Sequence, residues 1–238
     1  MSDEKVPVVL LHAFPLSSAM WQPQVEELSS EYRIITPDLP GFGSNPAIAT
    51  SIELMADDVA GLIHEPVVLG GLSMGGYVAL AFARKYPAKL RALILADTKA
   101  EPDDATGKAN RDQLIAFAES HTVRDVIDML IPKMVSSPAA AEQVRALAAA
   151  QSTAGIANAL RALRDRPDSS DMLWTIRVPT LVIVGSEDQL TPLPVARSLA
   201  GRIAGAKLEV IPGAGHISNL ENPAAFNNAL RAFLTSIR

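Results

Sequence analysis

Short, continuous apolar runs recur along the chain, and each gives way to a turn signal and then to a stretch with helical spacing. The runs are Val6–Ala13, Arg33–Asp38, Pro66–Leu72, Arg91–Asp97, Thr180–Gly185 and Lys207–Pro212. They do not alternate between apolar and polar residues. Strands of a parallel sheet read this way, because helices bury both of their faces. Between the runs, Ser18–Ser30 places Met20, Trp21, Val25 and Leu28 at helical intervals, and Ile52–Ile63 does the same with Leu54, Met55, Val59 and Leu62. Met74–Tyr86 is small and apolar and stops before Pro87. Pro192–Ile203 and Pro223–Ile237 each carry a proline near the start, where a missing N–H costs nothing. Strand and helix in repetition predict an α/β fold built on a doubly wound, mostly parallel sheet.

One region breaks the rhythm. From Thr98 to Trp174 no stretch reads as a strand, and helical patterns cover Lys108–Ser120, Val123–Met134, Ala139–Ala149 and Thr153–Leu163. Proline-containing breaks are expected at Ile131-Pro132 and Ser137-Pro138. The organisation predicted is a core made of residues 1–97 and 175–238, with a helical cap inserted at 98–174.

The chain's 238 residues suffice for one such domain. Its 48% hydrophobic and 20% charged residues are those of an ordinary globular protein. A net charge of −5, without any Lys/Arg run, gives no reason to expect binding to nucleic acid or anionic lipid. The absence of cysteine excludes disulfides, thiolate metal sites and a cysteine nucleophile. The polar start, Met1 to Lys5, lacks the apolar stretch of a signal peptide, and no apolar run approaches the roughly 18 residues of a membrane helix. A cytoplasmic enzyme with no membrane association is the expectation.

The chemistry points to the strand ends. The third run ends in Gly71-Leu-Ser-Met-Gly-Gly76, and a helical pattern follows. A serine on a sharp strand-to-helix turn needs very small residues two positions before and after it, and Gly71 and Gly75 meet that need. Gly76 lets the helix pack closely. The Ser73 hydroxyl would then emerge at the sheet's C-terminal edge, beside a helix N-terminus that favours negative charge. A serine hydroxyl is a poor nucleophile without an adjacent base, and the base needs a carboxylate to fix its tautomer. Of four histidines, His216 follows the last run in Gly213-Ala-Gly-His216, and Asp188 follows the fifth in Gly185-Ser-Glu-Asp188. Strand ends at one edge of a parallel sheet converge on a crevice. Asp97, ending the fourth run, is the alternative acid. His12 reads as a structural residue bracing the next loop, and His64 and His121 as surface residues. The two donors for an oxyanion are expected to be the backbone N–H groups of Met74 and Phe14, since Pro15 has none. Phe14 and Pro15 equally read as an apolar turn.

With these residues in hand, the chain resembles the α/β-hydrolase superfamily over its whole length, and most of all its esterase, enol-lactonase and perhydrolase-like branch. His12-Ala-Phe-Pro15 and the helix after it resemble the family's oxyanion loop, and Asp38-Leu-Pro-Gly-Phe-Gly-Ser44 its Gly-rich loop. The serine, acid and histidine motifs complete five ordered matches. The resemblance implies a sheet of about six strands and the order Ser73, Asp188, His216 for nucleophile, acid and base. It implies hydrolysis of a small-molecule ester or lactone, with no metal or cofactor. One departure is Ala13, where the family usually has glycine; a positive φ there would strain it. Serine at position 73 argues against dehalogenase and epoxide-hydrolase relatives, which use aspartate. Carbon–carbon bond hydrolases, perhydrolases and a slow-turnover ligand-binding protein share the same features. A lyase relative would need a catalytic lysine, for which Lys99 is the obvious position. Met129, Leu130, Met134, Ile156 and Leu160 are candidates for an acyl pocket under the cap, and Arg145 and Arg161 for a solvated face or a substrate carboxylate contact. Oligomeric state is not legible.

Overall fold

The structure is a computed structural model that describes residues 5–237, so the polar start at residues 1–4 lies outside the described residues. Six strands form one sheet: β1 (Pro7–Leu11), β2 (Arg33–Ile35), β3 (Val67–Leu72), β4 (Leu90–Ala96), β5 (Thr180–Gly185) and β6 (Lys207–Ile211). Their order is β2-β1-β3-β4-β5-β6, and every pairing is parallel. Strands β1, β3 and β5 are buried at every position, as their unbroken apolar runs require. The two edge strands differ. β2 is only three residues long and β6 is largely exposed, because an edge strand has one neighbour and less cover.

Alternate strand residues face opposite layers. Val9, Leu11, Leu69 and Leu95 join one apolar cluster with α2 (Ile52–Leu62) and α3 (Met74–Lys85). Val8, Leu10, Val68 and Ile94 join the other, with α1 (Gln22–Leu28) and the C-terminal helix Pro223–Ser236. The expected first helix over Ser18–Ser30 is split: Ser18–Trp21 is a 3-10 turn and α1 follows. Pro23 explains the split, since it cannot donate to Ala19 and so interrupts the α-helical ladder.

Between β4 and β5 the described residues hold helices and no strand: α4 (Ala105–Ser120), α5 (Val123–Met134), α6 (Pro138–Ala148) and α7 (Thr153–Arg164). Each starts at a side-chain cap, from Asp104, Thr122, Ser137 and Ser152 respectively. The break expected at Ile131-Pro132 is absent, because Pro132 lies inside α5. It sits in the last turn, where it removes a single backbone bond, and the helix continues to Met134. The break at Ser137-Pro138 is present, with Pro138 in the first turn of α6.

The four helices work as two pairs. α4 packs on α7 and adds Ile115, Ala118 and Leu160 to the first cluster. α5 packs on α6 and adds Ile127, Ile131 and Val144 to the second. The Gly-rich loop after β2 is the post on which α7 docks: Gly41 lies against Gly155 backbone to backbone, and Gly43 N–H donates to Gln151 Oε1 at 3.0 Å. After β5 come α8 (Leu193–Gly201), the short α9 (Ser218–Glu221), which the pattern did not signal, and α10 (Pro223–Ser236). Among the described residues no helix is long and apolar enough to cross a membrane.

Candidate active site

The C-terminal ends of β1, β3, β4, β5 and β6 all open at one edge of the parallel sheet, and this register brings distant residues together. Ser73 joins β3 to α3 at φ 53° and ψ −110°, a conformation that costs an L-residue roughly 1–3 kcal/mol. The turn is so tight that a Cβ on Gly71 would meet Gly75 O at 2.0 Å, and one on Gly75 would meet Leu11 O at 2.2 Å. Thr98, just past β4, donates its hydroxyl to Ser73 O at 2.9 Å and holds the turn from the side.

The Ser73 hydroxyl reaches His216 Nε2 at 2.7 Å, and His216 Nδ1 reaches Asp188 Oδ2 at 2.9 Å. An ionised carboxylate can only accept, so the proton is on Nδ1 and Nε2 is left to accept from Ser73. Asp188 is fully held: Thr191 Oγ1 donates to Oδ2 at 2.6 Å, and the amides of Leu190 and Thr191 donate to Oδ1 at 2.8 and 3.0 Å. Burial favours the neutral acid, but the His216 hydrogen bond and charge, with Thr191, outweigh it and hold Asp188 below its usual range. For His216, burial disfavours the imidazolium, yet the Asp188 hydrogen bond and the charges of Asp188, Asp97 and Glu221 leave it above its ordinary value.

Asp97 does not bond to His216. Its Oδ1 accepts Gly185 N–H at 2.8 Å, and its Oδ2 accepts the hydroxyl of Ser218. It therefore clamps the loop bearing Asp188 to the segment after His216. Burial first, and the charge of Asp188 second, push it up to about 7. Glu187, beside Asp188, is exposed.

The first-strand loop lies opposite. His12 Nε2 accepts the amide of Leu39 at 2.9 Å, and its Nδ1–H faces Ala13 O at 3.0 Å. Burial lowers His12 to about 4, so the ring is neutral and braces two loops. Ala13 does not take a positive φ, which among the described non-glycine residues only Ser73 and Asp97 do; the strain considered for it does not arise. Among the described residues the amides of Phe14 and Met74 have no protein acceptor. His64 and His121 are exposed.

Ser73, His216 and Phe14 face a cavity of about 310 Å³. Of the apolar residues singled out in the sequence, Leu130 and Met134 line it, joined by Leu114 and Leu163. Met129 is instead exposed, and Ile156 and Leu160 are fully buried in the core. Arg145 pairs with Asp128 and Glu142, and Arg161 with Glu119, all at the surface. The cations in the cavity are others: Lys99, Arg111 and Lys133. Arg111 and Lys133 carry no motif, and only helix packing reveals them.

The sequence pattern also gave no sign of a seam between α5 and the histidine loop. Met134 O accepts the His216 amide at 2.9 Å. Glu221 then accepts from Ser136 N–H at 2.7 Å and from Gly215 N–H at 2.9 Å. A carboxylate three residues beyond Ser218 thus ties the loop that carries His216 to the helical segment.

Residues 8–229 match the alpha/beta hydrolase family. A thermophilic esterase from Thermogutta terrifontis, solved with malate bound, superposes with a TM-score of 0.93 at 39% identity, over 98% of this chain and 91% of that one. The 3-oxoadipate enol-lactonase 1 of Acinetobacter baylyi is 29% identical over 97% of this chain and 89% of its own. A pimeloyl-[acyl-carrier protein] methyl ester esterase of Neisseria meningitidis is 29% identical over 100% of this chain and 96% of its own.

Proposed function

The chain belongs to the alpha/beta hydrolase family, and from that premise we propose that it hydrolyses carboxylic esters or lactones through an acyl-enzyme on Ser73. The observation that carries this reading is the unbroken relay from Ser73 through His216 to Asp188 at the floor of a cavity. His216 takes the proton from Ser73 Oγ as the oxygen attacks the substrate carbonyl. The unpaired amides of Met74 and Phe14 receive the oxyanion; one such donor is worth about 3–4 kcal/mol in the transition state. Asp188 stabilises the imidazolium. His216 then delivers its proton to the leaving oxygen and activates the water that frees the acid. No step calls on a metal or cofactor. The relatives named for esters and for an enol-lactone support this substrate chemistry.

In the same reading, residues 98–174 form a cap that walls off Ser73. Its support is that Arg111, Leu130, Met134 and Leu163, all from that segment, line the cavity. The test is hydrolysis of p-nitrophenyl esters from acetate to octanoate. Wild type turns over, Ser73→Ala loses on the order of 10⁴–10⁶ in turnover, and the chain-length profile reports the space beneath the cap. Equal rates for wild type and Ser73→Ala overturn the assignment.

A further inference from the structure

The cavity above Ser73 has an apolar wall and a charged one, and the relay uses only the floor. The charged wall comes from three places: Lys99 from the loop after β4, Asp103 and Arg111 at and within α4, and Lys133 from α5. Three cations thus face a single carboxylate, in a chain whose net charge is −5. Asp103 is already committed. It accepts from Arg111 Nε at 3.0 Å and from the buried guanidinium of Arg166 at 2.9 Å. Arg166 lies over the ring of Tyr77, another lining residue, at 4.4 Å.

Lys99 is left short. Its ammonium is 3.8 Å from Asp103, too far for a hydrogen bond, while its side chain is only 26% exposed. Among the described residues Lys133 has no ion pair and no side-chain hydrogen bond, and it lines the same cavity. Withdrawing an ammonium from water without giving it a strong acceptor is unfavourable, so the site as built favours an incoming anion. Burial, then the charge of Arg166, pushes Lys99 below its ordinary value, consistent with a cation short of counter-charge. Arg145, Arg161 and Arg164, in the same helical segment, are the opposite case, each paired with a carboxylate at the surface.

We propose that the charged wall is a carboxylate-binding subsite, and that the ester cleaved at Ser73 is a short half-ester of a dicarboxylic acid whose free carboxylate is held by Lys99 and Lys133, with Arg111 behind. The cavity volume, about 310 Å³, sits at the small end of ligand pockets and fits an acid of this size. The proposal rests on the serine-esterase reading for the bond that breaks, and on the charged wall alone for the group that is recognised.

The experiment compares methyl hydrogen glutarate with methyl valerate, which differ only in a terminal carboxylate for a methyl group, by proton release. Wild type favours the charged ester by about tenfold in kcat/KM, chiefly through KM, the factor of one charge-assisted hydrogen bond. In Lys99→Met, which keeps the chain length, that ratio falls toward one, and Lys99→Arg restores part of it. Lys133→Met, at an exposed position of α5 where folding is not at stake, lowers the ratio as well. A wild-type ratio at or below one, or a ratio unchanged in both methionine variants, overturns the subsite. The two readings fail separately. Calorimetric binding of free glutarate to the Ser73→Ala protein needs no turnover: glutarate binding that disappears when Lys99→Met is added upholds the subsite even where neither ester is cleaved, and no glutarate binding overturns it even where both are.

Discussion

The strand ends and the helical segment at 98–174 line the same cavity, but they reach it by different routes. Ser73, Asp188 and His216 each lie within a few residues of a strand's C-terminal end, and the parallel register of the sheet does the rest. Their geometry is tight: distances of 2.7 and 2.9 Å link the three, and Asp188 accepts four hydrogen bonds. Leu130, Lys133 and Arg111 reach it from helices whose rotation is set by packing, α4 on α7 and α5 on α6. A strand end delivers a side chain by local turn chemistry, whereas a helix delivers one by whichever face its neighbours leave over. The first is where chemistry is expected to reside, and the second is where substrate choice is expected to reside.

The largest effect separates two carboxylates at adjacent strand ends. Asp188→Asn removes the acceptor that fixes the His216 tautomer, and turnover falls by roughly 10⁴-fold. Asp97→Asn keeps an acceptor for Gly185 N–H and makes no contact with His216, so its turnover falls by less than about tenfold, the order of one altered neutral hydrogen bond. Steady-state kinetics on p-nitrophenyl acetate read both, and a reversed order would move the acid to Asp97.

Next is the turn itself. Gly75→Ala drives a Cβ into the carbonyl of Leu11, against backbone that cannot yield, and destabilises the fold by about 3 kcal/mol or more. Gly61→Ala in α2 meets nothing within 4 Å and stabilises by about 0.4–1 kcal/mol. Urea unfolding compares the two.

The third concerns the seam where the two regions meet. Glu221→Gln keeps the size of the side chain and an acceptor for one of the two amides, Ser136 or Gly215, but removes a negative charge that raises His216. His216 must be neutral to act, so activity rises with pH through a value above its ordinary 6.5. With the charge gone, that limb of the kcat/KM–pH profile moves to lower pH. The linked stability runs the opposite way with pH: a raised His216 contributes stability below pH 6.5 that is lost as pH rises through the folded-state value. An unmoved limb in the pH profile would leave Glu221 a purely structural tie.

The smallest effect is at the surface between α5 and α6. Arg145→Ala breaks surface pairs with Asp128 and Glu142, and turnover stays within about twofold. A larger loss on any ester would draw this face into function.

The same contrast governs what could be read from the chain. The serine turn was legible because Gly71, Ser73 and Gly75 are a local solution to a local steric problem. Asp188 and His216 were legible because they follow apolar runs that could only be strands. The elements misread are those where one residue's backbone chemistry competes with periodicity. Pro23 splits the first helix into a 3-10 turn and α1, while Pro132 interrupts nothing because it falls in a last turn. β2 shrinks to three residues because only β1 pairs with it. Apart from Lys99, the charged wall was not legible, since the arginines that drew notice, Arg145 and Arg161, pair with carboxylates at the surface, and only the packing of the helices turns Arg111 and Lys133 to the cavity instead. Likewise Ile156 and Leu160 have the apolar character of pocket residues but fall on the face that α7 turns to the core.

The most direct test of the account is covalent. The protein is treated with a fluorophosphonate, digested, and mapped by mass spectrometry. A single phosphonyl adduct is expected on Ser73, formed in wild type and lost in His216→Ala, with ester hydrolysis inhibited in step. An adduct on another residue, or ester hydrolysis that persists while Ser73 is fully modified, would contradict it.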